Sequence, residues 1–484
     1  MNSCRTEKDY IGEKQVPKNA YYGIQTVRAL ENFTITGHRI RPNFIYSCAI
    51  VKKACALANM DAGYMGSDIA KAIAVACDKI ITGKYNNEFL VDPIQGGAGT
   101  SFNMNVNEVI ANLALEHLGY EKGRYDILSP NTHVNMAQST NDVFPTTGHI
   151  TIHRTNTELL ETLRELKSTF ILKAKEFDSI LKMGRTHLQD AVPIRLGQEF
   201  MAYSKVLSRD ITRIENTQKD LLEINIGATA VGTGLNADPY YIFQAVNYIN
   251  QFTGEHYYRS EDLVDATQNT DCYTTASSAL KICMVNMSKI ANDLRLMASG
   301  PRCGFNEINL EARQPGSSIM PGKVNPVMIE AVNQVAFQVM GNDLTISLAS
   351  EAGQFELNVM EPVLFFNLVQ SIEMMTNVLK SFNNYCLKSI TANEDRLKAM
   401  VENSVGIVTA LAPHLGYEEA SQLAKEVINS GKTVKELCLE KKILPEDVLN
   451  EILDGYSMTN VGVSGKKYFK KVEETIIKKE NLKK

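Results

Sequence analysis

Residues 316–326 are the stretch of this chain whose residue types are best suited to chemistry. They read Gly-Ser-Ser-Ile-Met-Pro-Gly-Lys-Val-Asn-Pro. Prolines remove backbone donors and glycines permit tight bends, so the stretch predicts a shaped loop rather than a helix or a strand. The side chains on such a loop suit a small anionic substrate and include a possible nucleophile or base: Ser317, Ser318, Lys323 and Asn325.

Two other interpretations of this loop have to be weighed. A phosphate-binding loop has four residues between its glycines and a hydroxyl after its lysine. Here five residues separate Gly316 from Gly322, and Val324 follows Lys323, so the pattern disfavours nucleotide binding. A surface loop without chemistry is the second interpretation, because loops rich in Gly, Pro and Ser are common. Two further polar segments make that interpretation weaker, and a third segment is an additional candidate.

The first of these segments, residues 95–105, reads Gln-Gly-Gly-Ala-Gly-Thr-Ser-Phe-Asn-Met-Asn. Three glycines in four residues let backbone N–H groups approach a ligand, and the hydroxyl of Thr100 follows them. The alternative is a plain turn before a helix that is capped by Asn105 or Asn107. The two interpretations are compatible, because a glycine turn leading into a helix N-terminus is suited to binding anions.

The second segment, residues 138–146, reads Gln-Ser-Thr-Asn-Asp-Val-Phe-Pro-Thr. Four consecutive residues from Ser139 favour the N-cap of a helix, and Pro145 is tolerated in a first helical turn. One residue is enough to cap a helix, so the others are free for a different use. We expect Ser139, Thr140 and Asn141 to bind a carboxylate near the positive end of the helix dipole.

The third segment, residues 184–190, reads Gly-Arg-Thr-His-Leu-Gln-Asp and is predicted to close a long helical stretch. A lone histidine is more often structural than functional. Thr186 and the preceding Gly-Arg pair nevertheless favour a polar site that includes His187.

Composition narrows the class of protein. The chain has 484 residues, of which 44% are hydrophobic and 22% charged, as in an ordinary globular protein of two or three domains. A net charge of −5 predicts no nucleic-acid partner. The chain has no run of 18 apolar residues, which predicts no membrane span. The lysine-rich end from Lys466 is interrupted by glutamates and predicts a solvated helix.

The N-terminus and the cysteines lead to further expectations. The first eighteen residues lack the apolar core of a secretory signal, which predicts a cytoplasmic protein. The nine cysteines and eight histidines follow no disulfide or metal-ligand spacing. We therefore expect free thiols, no bound metal and no cofactor.

Hydrophobic periodicity predicts long helices in the middle of the chain. Apolar residues recur at spacings of three and four between residues 159 and 177. A similar pattern fits residues 196–223, 268–297, 327–350 and 363–389. Five such helices predict a mostly α protein with a long central bundle. The few charges between 327 and 349 predict a helix covered by other subunits, with a buried helix of a monomer as the alternative.

The two ends of the chain have shorter periodic segments, such as 418–429 and 446–453. The sequence therefore predicts three domains. They are a mixed, mostly helical domain at 1–142, a long-helix bundle at 143–395 and a small helical domain at 396–484.

Taken together, the four polar segments resemble the active-site stretches of the aspartase/fumarase superfamily. GSSIMPGKVNP is similar to its signature segment, and GGAGTSFNMN, QSTNDVFPT and GRTHLQDAVP to its other stretches, over a likeness from about residue 8 to about residue 460. Several features resemble the aspartase branch in particular, namely residues 20–26, residues 351–358, the Gly-Ala-Gly-Thr-Ser form of the glycine turn and the Ser-Thr-Asn-Asp form of the segment from Ser139. Fumarases usually carry Gly-Ser-Gly-Thr-Gln and Ser-Ser-Asn-Asp. A class II fumarase is the alternative, and a non-catalytic crystallin-like protein is a more distant one.

The resemblance implies a three-domain, mostly helical subunit and a homotetramer whose active sites each combine segments of three subunits. It also implies a reaction, the reversible elimination of ammonia from L-aspartate to give fumarate. A proton next to the β-carboxylate would leave first, which creates an aci-carboxylate with a second negative charge. Ser317 would be the base and would react as an alkoxide stabilised by Lys323, backbone N–H groups and a helix end.

The same resemblance implies roles for the other site residues. The β-carboxylate would be held by hydroxyl side chains, namely those of Thr100, Ser139, Thr140 and Ser318. The α-carboxylate would be held by Thr186, His187, Lys323 and Asn325, and Asn141 would lie near the amino group. In fumarase-like members the histidine is an acid–base catalyst with Glu330 behind it. His187 is a candidate catalytic residue, but we expect it mainly to bind substrate. We also expect the loop 312–326 to close over the bound substrate.

Overall fold

The computed structural model describes residues 4–469. Over this range the α-helices are, in chain order, α1 (Ile24–Asn32), α2 (Pro42–Asp61), α3 (Ser67–Ile81), α4 (Thr100–His117), α5 (Thr140–Glu176), α6 (Leu196–Thr217), α7 (Pro239–Thr253), α8 (Asp265–Gln268), α9 (Asp271–Met297), α10 (Val327–Glu351), α11 (Glu361–Tyr385), α12 (Glu394–Asn403), α13 (Ala412–Leu415), α14 (Tyr417–Ser430), α15 (Val434–Glu440), α16 (Glu446–Ile452) and α17 (Gly455–Thr459). None of these helices is long and apolar enough to cross a membrane.

The β-structure of the described residues consists of short pairs of strands. The antiparallel pairs are β1 (Cys4–Asp9) with β2 (Gly12–Pro17), β3 (Leu181–Thr186) with β4 (Gln189–Arg195), and β7 (Ile308–Asn309) with β8 (Thr391–Ala392). The parallel pair is β5 (Glu223–Ile224) with β6 (Tyr258–Arg259). The prediction of a mostly α protein with long helices is confirmed.

The five long helices lie close to their predicted positions. The longest, α5, has 37 residues, which at 1.5 Å per residue is a length of about 55 Å. The predicted helix starts at residues 196 and 327 are those of α6 and α10. The other boundaries differ by a few residues, except that α5 begins at Thr140, well before the periodic stretch that starts at residue 159. Helix ends depend on capping contacts as well as on periodicity.

The chain forms two compact units. Unit 1 contains the described residues up to Thr162, together with Asp210–Val285 and Gln334–Val378. Unit 2 contains Leu163–Arg209, Asn286–Asn333 and the described residues from Leu379 onward. The three-domain division remains a prediction. The solvated helix predicted for the lysine-rich end falls mostly on residues 470–484, outside the described residues.

Aromatic rings hold the starts of α4 and α5 together in unit 1. Phe102 near the start of α4 and Phe144 near the start of α5 have ring centroids 6.0 Å apart. Phe44 of α2 lies 5.3 Å from the first ring and 5.2 Å from the second. All three side chains are buried, and each contributes about 2 kcal/mol of hydrophobic free energy. Two of the predicted site segments therefore begin on a rigid core.

A separate hydrophobic cluster fixes the β3–β4 hairpin in unit 2. Met183 of β3 is buried in the same cluster as Val401 of α12, Val434 of α15 and Val448 of α16. The strand is therefore anchored at its middle. The two residues that connect the strands, His187 and Leu188, are exposed.

Candidate active site

The glycine turn before α4 depends on Gly99. Its φ is +90°, and a Cβ at this position would lie 2.6 Å from the ring of Phe144. Any other residue would therefore displace a core aromatic ring. The helix begins at Thr100, so Asn105 and Asn107 lie inside it, and the prediction that one of them caps the helix is wrong.

Thr100 is exposed, and its hydroxyl is already used within the turn. The Oγ1–H donates to the carbonyl oxygen of Gly97 over 2.7 Å, and the backbone N–H of Thr100 donates to the same oxygen over 3.0 Å. A bound carboxylate would have to compete with Gly97 for this hydroxyl hydrogen.

Asp142 is the residue that anchors the start of α5. One carboxylate oxygen accepts the N–H of Ser139 at 2.9 Å, while the N–H of Asn141 donates to Ser139 Oγ at 3.2 Å. The other carboxylate oxygen accepts the N–H groups of Gly227 and Thr229, both at 3.1 Å. Burial raises the pKa of Asp142 to about 6, and these N–H groups act in the opposite direction. Asp142 therefore fixes this helix start, and the hydroxyl oxygen of Ser139 contributes to it.

Pro145 explains how Asn141 is held. It is the sixth residue of α5, beyond the first turn in which it was predicted, and it has no N–H for the carbonyl of Asn141. The side-chain amide of Asn225 donates to that carbonyl instead, over 3.0 Å. The side chain of Asn141 in turn donates to the carbonyl oxygen of Ala230 over 2.8 Å. Both ends of Asn141 are therefore fixed by a loop that is distant in sequence.

Thr140 links two of the predicted segments. Its side chain is buried, and its Oγ1 accepts a hydrogen bond of 3.2 Å from the side-chain amide of Asn103 in α4. Asn103 belongs to the polar segment at 95–105, but its position in the sequence predicted no function. Its only signal was an amide among the apolar residues of a helix.

The third segment is a β-hairpin rather than the end of a helical stretch. The helix α5 ends at Glu176, and Thr186 is the last residue of β3. His187 and Leu188 form the turn, with φ values of +55° and +59°. Both are unfavourable for residues with a Cβ, and neither belongs to the Asn-Gly class that marks tight hairpins in a sequence. Thr186 and His187 are consequently both exposed at the tip.

A buried ion cluster supports this hairpin in unit 2. The Glu307 carboxylate is fully buried and lies 2.6 Å from Arg185 Nη1 and 2.8 Å from Lys182 Nζ. The Arg185 guanidinium also lies over the ring of Phe305, 4.2 Å from its centroid. Because Glu307 immediately precedes β7, the cluster ties the hairpin to the chain that leads into the glycine- and serine-rich loop.

That loop is closed on itself. The N–H of Gly316 donates to the Lys323 carbonyl over 2.7 Å, and the Asn325 side chain donates to the Gly316 carbonyl over 2.8 Å. A Cβ at Gly316 would lie 2.5 Å from the Lys323 oxygen, so only glycine permits this closure. Residues 316–326 form neither helix nor strand, which confirms the prediction of a shaped loop.

The hydroxyl of Ser317 has the most distinctive surroundings in the loop. Its Oγ accepts two backbone N–H groups, from Ile319 at 3.2 Å and from Met320 at 3.1 Å. Two donors aimed at one hydroxyl oxygen favour its ionised form. Ser318 and Lys323 are exposed, and no carboxylate within residues 4–469 pairs with Lys323.

The candidate residues thus fall into two groups, each within one unit. The unit 1 group is Thr100, Ser139, Thr140 and Asn141. The unit 2 group is Thr186, His187, Ser317, Ser318, Lys323 and Asn325. No cluster of three or more His, Cys, Asp or Glu side chains suited to a metal ion occurs in the described part of the chain.

Two protein families match parts of this chain that include the candidate site residues or follow them. Residues 12–341 match a family described as lyase, and residues 407–460 match the family of the fumarase C C-terminus. The first match covers more than half of the chain. The chain therefore belongs to this lyase family, the aspartase/fumarase superfamily that the four polar segments predicted.

Within the family, strong similarity is found to aspartate ammonia-lyases. The enzyme of Bacillus sp is 63% identical over 96% of this chain and 100% of its own length. That of Bacillus subtilis (strain 168) is 61% identical over 96% of this chain and 98% of its own length. The enzyme of Escherichia coli (strain K12) is 46% identical over 98% of this chain and 100% of its own length.

Solved structures have the same fold. A fumarate lyase:delta crystallin from Brucella melitensis, bound to cobalt, superposes with a TM-score of 0.92 and 44% identity over 95% of this chain and 100% of that one. The class II fumarase of Schistosoma mansoni has a TM-score of 0.89 but only 33% identity, over 94% of this chain and 99% of that one.

Proposed function

We infer that this chain has the activity of an aspartate ammonia-lyase, a carbon–nitrogen lyase that interconverts L-aspartate with fumarate and ammonia. The observation that carries this conclusion is 63% identity to such an enzyme along its whole length. The hydroxyl-rich starts of α4 and α5 and the serine loop supply the groups that a dicarboxylate needs. The proposed substrates are L-aspartate in one direction and fumarate with ammonia in the other.

Ser317 is proposed as the base. The proton to be removed is weakly acidic, so the hydroxyl must react as an alkoxide. The N–H groups of Ile319 and Met320, which already point at Ser317 Oγ, would carry part of the alkoxide charge. Because they are fixed by the loop, they need no reorganisation when the hydroxyl ionises. Lys323 would add a positive charge nearby.

The second negative charge on the β-carboxylate requires donors that are ready before it forms. We propose that hydroxyl groups supply them, namely those of Ser139, Thr140 and Ser318, together with that of Thr100 once its hydrogen turns from the Gly97 carbonyl to the substrate. The α-carboxylate would be bound by Thr186, His187, Lys323 and Asn325, and Asn141 would lie near the amino group. For Ser139 the start of α5 adds the positive end of a long helix dipole.

His187 is proposed to bind substrate more than to transfer protons. It lies at an exposed hairpin tip and has no buried partner among residues 4–469. The amino group of L-aspartate leaves as ammonia, so the reaction has little need of a strong acid. The exposed loop 312–326 would close over the bound substrate and exclude water from these donors.

We propose that the chain assembles as a homotetramer whose sites combine three subunits. Three large apolar side chains of α10 lie on one face of the helix and remain exposed, Phe337 and Leu344 by 63% and Leu348 by 60%. An apolar stripe of this kind in a central helix is suited to covering by another chain. Sedimentation of the purified protein is expected to give the mass of four chains, and a fully active monomer would contradict the proposal.

Complementation tests whether sites are shared. Ser317→Ala and Thr140→Ala chains are inactivated at different groups, one in unit 2 and one in unit 1. If the two groups of one site come from different subunits, unfolding and reassociating a mixture should restore activity in sites that receive both intact groups. A mixture that stays as inactive as its components argues for sites within one subunit.

The activity itself is tested by two assays on the purified protein. Fumarate is incubated with ammonium in one assay and alone in the other, and its ultraviolet absorbance is followed. A loss of fumarate that requires ammonium is expected. A loss of fumarate in the assay without ammonium would instead support a fumarase.

A further inference from the structure

A buried polar network in unit 1 lies behind Thr140, and the mechanism proposed above does not use it. Its members are Lys52 of α2, Asn103 and Asn107 of α4, and Asn135 in the segment before α5. Lys52 and both α4 asparagines are buried, with exposures of 2% or less. Polar side chains at such depth need partners, so the direction of each hydrogen bond is strongly constrained.

The backbone fixes the orientation of Asn135. Its side-chain Nδ2 donates to the carbonyl oxygen of Gln138 over 3.1 Å. A carbonyl can only accept, so Asn135 must direct its Oδ1 toward the rest of the network. That oxygen accepts from Lys52 Nζ at 3.0 Å, Asn103 Nδ2 at 3.1 Å and Asn107 Nδ2 at 3.0 Å.

Gln138 fixes Lys52 by the same logic. Its Nε2 donates to the carbonyl oxygens of Val134 and Met136, at 3.0 and 3.1 Å. Its Oε1 is therefore the atom that accepts from Lys52 Nζ, over 2.9 Å. Burial lowers the pKa of Lys52, and two amide oxygens partly compensate for the lost water.

The orientation of the Asn103 side chain determines which hydrogen bond Thr140 makes with it. Because Asn103 must give one Nδ2 hydrogen to Asn135, its second Nδ2 hydrogen is the one that meets Thr140 Oγ1, at 3.2 Å. The hydroxyl oxygen therefore accepts from Asn103, and its own hydrogen has to point elsewhere. No acceptor for that hydrogen is found in residues 4–469, so it is left for a ligand.

We propose that Asn103 is a positioning residue that makes Thr140 a hydrogen-bond donor to the substrate carboxylate, with Asn135 and Lys52 holding Asn103 in that orientation. The inference rests on the proposed function. A donor preset in this way stabilises the aci-carboxylate more than the substrate, because the charge on the carboxylate oxygens grows during the reaction. Asn103 itself need not touch the substrate.

The test compares two aspartate substitutions in the intact oligomer. In Asn103→Asp the carboxylate can only accept, so it takes the Thr140 hydrogen away from the substrate. Asn107→Asp is the matched control, because Asn107 is equally buried and bonds to the same Asn135 oxygen without reaching Thr140. We expect kcat to fall about 100-fold for Asn103→Asp and less than about fivefold for Asn107→Asp, with smaller changes in KM.

A double-mutant cycle separates positioning from damage to the fold. Thr140→Val removes the hydroxyl and keeps the shape, so Asn103→Asp should cost little more in its presence. Equal kcat losses for Asn103→Asp and Asn107→Asp would overturn the inference. So would an Asn103→Asp variant that loses as much kcat in the Thr140→Val background as it does in the wild type. A wild-type protein that does not react with fumarate and ammonium would instead overturn the proposed function.

Discussion

The candidate site residues of unit 1 and unit 2 differ in how far the folded chain has already fixed them. In unit 1, Thr140 and Asn141 are held by side chains and carbonyls from distant parts of the sequence. In unit 2, Thr186, His187 and Lys323 are exposed, and they lie on a hairpin tip and a loop. The contrast is between these residues, since Thr100 of unit 1 is also exposed and Asn325 of unit 2 is held by the Gly316 carbonyl.

This difference between the units predicts how substitutions in each will affect stability and activity. Side chains held before binding lose little entropy when substrate arrives, whereas an exposed loop must be ordered by substrate or by another subunit. Substitutions in the unit 1 segments should therefore lower stability as well as activity. Substitutions in the unit 2 loop should lower activity and leave stability nearly unchanged. The following measurements test that contrast.

The largest effect is expected for Ser317→Ala in the exposed loop. Without the base, kcat should fall at least about 1,000-fold, or about 4 kcal/mol in the barrier, while the denaturation midpoint stays unchanged. Steady-state kinetics and urea unfolding measure the two quantities. Ser318→Ala, its neighbour, is the control and should lose less activity. If Ser317→Ala kept a tenth of the wild-type turnover rate, Ser317 would not be the base.

Two glycines with similar backbones compare the units directly. Gly99 has φ +90°, and an added Cβ would lie 2.6 Å from the Phe144 ring. Gly322 has φ +83°, and an added Cβ there would meet no atom of the described part of the chain within 4 Å. Gly99→Ala should cost about 3 kcal/mol of unfolding free energy, and Gly322→Ala only about 1 kcal/mol. Urea unfolding at one protein concentration measures both. Equal losses would show that the aromatic core does not hold the glycine turn rigidly.

The pH dependence of stability tests the buried core of unit 1. Burial lowers the pKa of His149 in α5 from 6.5 to about 4, so the folded protein keeps the ring neutral. Its contribution is fully present above pH 6.5 and is lost as the pH falls toward 4, because the unfolded chain takes up a proton first. Between pH 7 and pH 4.5 we expect this residue to account for about 2–3 kcal/mol.

His149→Gln should remove that part of the pH dependence. Urea unfolding at pH 7 and pH 4.5 compares the variant with wild type, and His117→Gln, at an exposed histidine of the same unit, is the control. A variant whose stability falls as steeply as that of wild type would assign the acid sensitivity to other groups.

The smallest effect is expected at the hairpin tip. His187→Ala should raise KM about tenfold and change kcat less than about fivefold, because it removes a binding group and not a proton carrier. His187→Gln keeps a donor and should lie closer to wild type. If the turnover rate of both variants fell by about two orders of magnitude or more, His187 would have an acid–base role.

The sequence predicted the long helices and the loop well because their signals are local. Periodic apolar residues mark α6 and α10, and Pro193 and Pro326 lie just before the starts of those helices. The hairpin at β3–β4 was not predicted, because its turn places two residues with side chains at positive φ. No glycine or asparagine marks that turn in the sequence.

The family, the mostly α class and the polar segments of the candidate site could be predicted from the sequence. Residue type and spacing along the chain contain that information. The side chains that orient those segments became visible in the folded chain, since Asn103 contacts Thr140 across 37 residues and Lys52 contacts Asn135 across 83. Such pairs depend on how the helices pack, and burial then leaves each polar atom few partners to choose from.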